Sequence, residues 1–247
     1  MTAPVFLVKP QALDGEPKQL TLDGPEGRHA VSVRRLQPGE EVVLTDGAGR
    51  GAYGVVTAAR GKDELDVEVR ELRAEPEPAP RITVVQALPK GDRGELAVET
   101  MTEAGVDAVV PWAASRCVTQ WRAERGAKSL AKWRATAREA AKQARRLRFP
   151  DVAGQLTTRQ VAELLAAADF AGVLHEESAA PLATAPLPAA GSVVLVVGPE
   201  GGVAPDELAA FAAAGAPAYR LGPTVLRTST AGVAAASLLL ARTGRWS

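Results

Sequence analysis

Gly198-Pro199-Glu200-Gly201-Gly202 and Leu221-Gly222-Pro223-Thr224-Val225-Leu226-Arg227-Thr228 are the two stretches that decide the fold. Each follows an apolar run suited to a buried strand, residues 193–197 and 219–221, and each precedes a segment able to form a helix. Two such junctions predict two loops at one end of a parallel sheet, where α/β proteins bind their ligands. The glycines at 198, 201 and 202 let the backbone approach a ligand and offer it bare N–H and C=O groups. No Lys-Ser/Thr pair follows, which excludes a P-loop, and neither loop carries a full dinucleotide fingerprint with its acidic residue. A nucleoside-like ligand read by backbone groups fits better. The first loop alone could be a plain tight turn; the second Gly-Pro junction argues against that.

Working outward, the strand candidates at residues 82–88, 108–111, 172–174, 193–197 and 218–221 alternate with helical stretches, the pattern of a parallel α/β sheet. Before them, Val-, Leu- and Thr-rich runs at 5–8, 19–22, 41–45, 53–58 and 65–72 are broken by Gly and Pro, which predicts a small antiparallel barrel or sandwich. Residues 47–52 satisfy a loose G-x-G-x-x-A pattern, but a strand-like run follows and not a helix, so they are expected to form a hairpin turn. Residues 74–80, with three prolines, read as a linker. The expected domains are therefore 1–73, a linker at 74–80, and 81–247.

The chain has 247 residues, 46% hydrophobic and 23% charged, enough for one large or two modest cores. Its N-terminal apolar stretch is too short for a signal peptide, and its most apolar run, residues 231–241, is too short to span a bilayer, so a cytoplasmic protein without a membrane partner is expected. One cysteine, Cys117, allows no internal disulfide, and with only His29 and His175 no metal site is expected.

The formal net charge is zero, yet residues 116–148 hold eleven Lys and Arg against Glu124 and Glu139. That stretch carries +9 and the rest −9. Leu130, Trp133, Ala137, Ala140, Ala144 and Leu147 recur at helical spacing, with Arg134, Arg138, Lys142 and Arg146 at steps of four on the opposite side. Solvated helix faces mix both signs, and this one scarcely does, which points to RNA. Arg116, Arg134, Arg138, Lys142, Gln143, Arg146 and Arg148 are the candidate contacts. Aromatic content is only 4%, so recognition is expected to rest on backbone charge and shape and not on base stacking.

The pair VVGPEGGVAPDEL and LGPTVLRTSTAGVAAASLLL resembles the SPOUT methyltransferases, specifically the ribosomal RNA small subunit methyltransferase E family. RHAVSVRRLQPGEEVVLTDGAG, KGDRGELAVETMTEAGVDAVVPWAASRCV and EAAKQARRLRFP agree with that family in order, so the resemblance covers nearly the whole chain. It implies a C-terminal deep trefoil knot, an N-terminal PUA-like RNA-binding barrel with Arg28, Arg34 and Arg35 as candidate contacts, and S-adenosylmethionine as cofactor. The implied cofactor contacts are Leu174, Gly198, Pro199, Glu200, Gly201, Gly202, Leu221, Gly222, Val225, Leu226, Thr228 and Thr230. The implied reaction is methylation of N3 of a uridine in 16S rRNA within the small ribosomal subunit. Arg227 is the expected stabiliser of developing charge; the base could be Glu200, a group from a second subunit, or solvent. One departure stands out: the family usually reads LRTETA, and this chain has Ser229 in place of the acid. The charge-poor, small-residue run after Thr230 is expected to be buried on all sides, partly in a homodimer interface. Alternatives are 2′-O-ribose methylation on the same fold, or an RNA-binding ribosome-assembly factor without catalysis.

Overall fold

The computed structural model describes residues 3–246, and the chain divides into two compact units. The first comprises the residues up to Glu77 together with Ala141–Phe149. Strands β1 (Val5–Leu7), β2 (Gln19–Leu22), β3 (Glu41–Thr45), β4 (Arg50–Arg60) and β5 (Glu64–Ala74) form one sheet in the order β1-β3-β4-β5-β2. It is not wholly antiparallel as expected: β1 runs parallel to β3, because a 3-10 turn, β2 and a short helix intervene before the chain returns beside it. The β3–β4 connection at residues 46–49 is a hairpin loop, fixed by Asp46, whose Oδ1 accepts the N–H groups of Ala48 and Arg50 at 2.8 and 3.1 Å. Phe6, Leu22, Leu44, Leu65 and Val67 form the core of this sheet. Helix α1 (Gly24–Arg28), entered through Pro25, continues into a π-helical turn over His29–Val33.

The second unit holds β6 (Arg81–Ala87), β7 (Ala108–Trp112), β8 (Asp151–Val152), β9 (Phe170–Leu174), β10 (Ser192–Val197) and β11 (Ala218–Tyr219), all parallel, in the order β11-β9-β10-β6-β7-β8. Its helices are α2 (Arg93–Ala104), α3 (Ala123–Gln143, whose last three residues belong to the first unit), α4 (Thr158–Ala166), α5 (Pro205–Ala213) and α6 (Thr228–Arg242). Both faces of the sheet are covered, as the continuous apolar run of β10 requires. Val193 and Leu195 join a cluster with Leu239 and Leu240 of α6, while Val194 and Val196 join one with Trp112 and Phe211. The last two rings meet edge to face at 5.2 Å. Near the C-terminus Arg245 donates to Asp107 Oδ1 at 3.0 Å, and Asp107 Oδ2 accepts the Ile82 N–H at 2.8 Å. The expected linker starts one residue later, since β5 extends to Ala74.

One expectation on the helices fails. The basic helix stops at Gln143, where Arg145 takes a left-handed φ of 58°, so Arg146 and Arg148 are not on it. In helix α6 of the single chain Gly232, Ala235, Ala236, Leu239 and Leu240 are buried, while Ala231, Val233, Ala234 and Leu238 are half-buried. Among the described residues no helix is long and apolar enough to cross a membrane, and no three metal-ligating side chains cluster.

Candidate active site

In a parallel sheet the C-terminal strand ends open into a crevice. Here a cavity of about 350 Å³ lies at the ends of β9, β10 and β11. Leu174, His175 and Glu176 reach it from β9; Val197, Gly198, Pro199, Glu200, Gly202 and Val203 from β10; Arg220, Leu221, Gly222 and residues 224–227 from β11. Thr228 and Ala231 of α6 and Arg93 of α2 close the wall.

The loop after β10 is tightly held. The Gly202 N–H donates to Pro199 O at 2.9 Å, closing a turn in which Gly202 sits at φ 73°, a region open to glycine. Thr228 Oγ1 donates to Gly198 O at 2.7 Å and accepts from the Nε2 of buried Gln86 at 3.1 Å, so the first turn of α6, the loop and β6 share one hydroxyl. The Lys90 N–H donates to Glu200 Oε1 at 3.1 Å, and Arg116 Nη1 donates to Gly201 O at 3.0 Å. The helix that follows starts on Glu207, a buried carboxylate that accepts from the N–H of Ser115 and of Ala204 and from Thr158 Oγ1. By contrast, the backbone of residues 221–226 makes no hydrogen bond among the described residues. All of these residues but Pro223 line the cavity, so unpaired N–H and C=O groups are available there to a ligand.

Arg93, Arg220 and Arg227 place three guanidinium groups on this wall, none in an ion pair among the described residues, opposite in sign to Glu176 and Glu200. Arg227 is the N-cap residue of α6 and is exposed. The site can therefore hold a polar ligand by its backbone and set permanent positive charge beside it.

Most of the expected contacts come together here, but Gly201 and Thr230 do not line the cavity. A side chain at Gly201 would meet Arg116 at 3.3 Å and not the ligand space. Ser229 is also outside it: the residue is 1% exposed and its Oγ has no hydrogen-bond partner among the described residues. Sequence reasoning overlooked Arg93, His175, Glu176 and Arg220. His175, Glu176 and Arg220 directly follow strand ends, and that position was the available signal.

The proposed RNA contacts separate. In the first unit Arg28, Arg34, Arg35 and Gln143 are exposed. Lys142 is buried and bonded to Glu26 at 2.9 Å, and Arg148 is paired with Glu77 at 3.1 Å and donates to Glu75 O, so both hold structure together. Arg146 is half-buried. In the second unit Arg138 is exposed beside Glu139, while Arg134 Nε donates to Val152 O at 3.0 Å and Arg116 holds the glycine loop. The continuous stripe is thus reduced to separate arginines.

A family model described as RNA methyltransferase domain matches residues 75–240, and one described as RNA methyltransferase PUA domain matches residues 22–70. The chain is 51% identical over 229 residues to the Ribosomal RNA small subunit methyltransferase E of Mycobacterium bovis, covering 91% of this chain and 87% of that one. It is 29% identical to the protein of the same name from Bacillus subtilis, over 91% and 90%. Among solved structures, the Neisseria gonorrhoeae Ribosomal RNA small subunit methyltransferase E bound to S-adenosyl methionine aligns with a TM-score of 0.85 at 27% identity, over 98% of each chain. With strand order, loop placement and these likenesses in agreement, the chain belongs to the ribosomal RNA small subunit methyltransferase E family.

Proposed function

We propose that this protein methylates N3 of a uridine in the 16S rRNA of the small ribosomal subunit, using S-adenosylmethionine. The observation that carries this reading is a cavity lined by Leu221, Gly222 and residues 224–227, a segment whose backbone up to Leu226 is unpaired among the described residues. The residues suit the cofactor: Leu174, Val197, Val203 and Leu221 offer apolar surface to a purine, the free backbone groups can read its edge and the ribose hydroxyls, and Glu176 and Glu200 favour a cationic ligand. Bound there, S-adenosylmethionine supplies a methyl group already activated by a sulfonium.

What the chain must supply is orientation and proton handling. Removing the N3 proton of uracil spreads negative charge onto the flanking carbonyl oxygens, and the forked donors of Arg227 suit that charge. Arginine stays protonated, so it stabilises and does not act as base. Glu176 and Glu200 are the carboxylate acceptors on this wall; Glu200 is oriented through Oε1 by the Lys90 N–H, and His175 Nδ1 is already taken up by the Glu177 N–H at 3.3 Å. The exposed Arg28, Arg34 and Arg35 lie in or near the region matched by the PUA model, which supports RNA binding by a PUA-like barrel. The half-buried apolar face of α6 supports a homodimer, and the position of β11 beyond β9, with α6 returning to pack on β6, supports a knotted C-terminus. The expected place of action is the cytoplasm, on an assembled subunit.

The test is methylation of small subunits that lack the mark, followed by mass-spectrometric assignment of the methyl. A base-methylated uridine is expected. A ribose methyl would replace this reading with the 2′-O alternative, and failure to bind S-adenosylmethionine would leave an RNA-binding factor.

A further inference from the structure

A second cavity, of about 470 Å³, lies in the same unit, and none of the expected site residues line it. Its walls are the loop after β6 (Pro89, Gly91), the first turn of α2 (Gly94, Glu95) and the segment leading into α3 (Thr119, Gln120, Trp121), with Arg125, Ser129 and Trp133 on α3 itself. We propose that it receives an unpaired nucleobase of the RNA substrate, stacked on Trp121.

Four observations carry this. First, two of the four tryptophans of an aromatic-poor chain meet here, edge to face at 4.9 Å and 79°. Trp133 is 2% exposed and packs against Gly94, where a side chain would come within 2.7 Å of the indole. It is a fixed support, and the partly exposed Trp121 is the face left for a ligand. Second, the lining is mainly polar: the Gln120 amide can donate to and accept from the edge of a base, and the hydroxyl oxygens of Thr119 and Ser129, which donate to Pro89 O at 2.8 Å and Arg125 O at 3.0 Å, can still accept from it. An apolar peptide or lipid tail would leave the Gln120 amide unpaired. Third, the surrounding charge is cationic where it is free: Lys128 and Lys132 are held by Glu124 and Glu95 at 2.8 and 3.0 Å, but Arg122 and Arg125 have no ion-pair partner among the described residues and can meet phosphates. Fourth, the cavity adjoins the active site. Arg93 lines the first cavity and Gly94 the second, Thr119 Oγ1 donates to Pro89 O at 2.8 Å, and Lys90 holds Glu200. A base seated on Trp121 is therefore one short loop from the reacting site, within reach of a nucleotide flanking the target.

The identity of the RNA rests on the function proposed above; the pocket itself does not. The probe is a single-stranded ten-residue oligouridylate or oligoadenylate, titrated against the full chain by tryptophan fluorescence, with an RNA duplex of equal length as control. Trp121→Ala should weaken single-strand binding by roughly 5- to 100-fold, the scale of one lost stack, with duplex binding unchanged and Trp121→Phe largely restoring it. S-adenosylmethionine affinity, measured alongside, reports that each variant is folded. Equal loss on duplex and single strand, or no loss on either, overturns the pocket. If wild type methylates subunits but Trp121→Ala binds the single strand normally, only the pocket falls. If Trp121 governs single-strand binding but subunits are never methylated, the pocket stands and the methyltransferase reading falls.

Discussion

The two loops that line the active-site cavity are held in opposite ways. In residues 198–202 the carbonyls of Gly198, Pro199 and Gly201 all accept hydrogen bonds, and Glu200 accepts one from Lys90. In residues 221–226 no backbone group is paired among the described residues, and Val225 is 77% exposed. The first loop commits most of its carbonyls to the scaffold, with the N–H groups of Gly198, Glu200 and Gly201 unpaired among the described residues, and the second keeps all its donors and acceptors for a ligand. Glycine count alone would have ranked them the other way, because glycine permits close approach but says nothing about which polar groups remain available.

Four predictions can break or sharpen this contrast. The largest effect is expected at the end of the loose loop: Arg227→Ala should lower turnover roughly 10²- to 10³-fold with cofactor affinity little changed, and Arg227→Lys should recover only part. Single-turnover methyl transfer with parallel calorimetry checks it, and a fully active Arg227→Ala protein would move the chemistry elsewhere. Next comes the hydroxyl that holds the tight loop. Thr228→Val leaves Gly198 O and the buried Gln86 amide each short of a partner and should cost about 2 kcal/mol in urea unfolding, with weaker cofactor binding.

A matched pair of glycines gives the third. A Cβ at Gly198 would meet Val203 Cγ2 at 2.8 Å, so Gly198→Ala should cost about 1 to 2 kcal/mol. At Gly222 nothing lies within 4 Å, so Gly222→Ala should leave unfolding within about 0.5 kcal/mol of wild type. Equal costs at the two positions would dissolve the distinction. The smallest loss expected from a broken contact belongs to Arg116→Ala, which removes an exposed bond to Gly201 O and should cost under about 1 kcal/mol. A loss of cofactor binding there would make Arg116 part of the site and not of its scaffold.

The parallel sheet was legible because its strands are apolar throughout and its loops carry glycine and proline, signals contained in neighbouring residues. Most of the cavity followed from the two loops. What escaped depends on partners distant in sequence. Lys142 reads as surface charge until Glu26, more than a hundred residues earlier, is found beside it in the interior. Arg148 reads as an RNA contact until Glu77 pairs with it. Strand β8 has two residues and no periodicity to detect. The low aromatic content argued against base stacking, but an average over the chain cannot show that Trp121 and Trp133 converge.

The first unit is not continuous in sequence, and that has a bearing on how it can be made. Leu147 is 2% exposed among Val5, Val43 and Tyr53, its carbonyl accepts from Thr45 Oγ1 at 2.9 Å, and the Phe149 N–H donates to Gly47 O at 2.8 Å. A fragment cut at the linker would lack this plug and display the apolar floor beneath it. During translation the same gap stays open until residue 149 has left the exit tunnel, after β6, α2 and β7 have already emerged. The N-terminal sheet thus begins to form first but is completed by a piece of chain synthesised midway through the second unit.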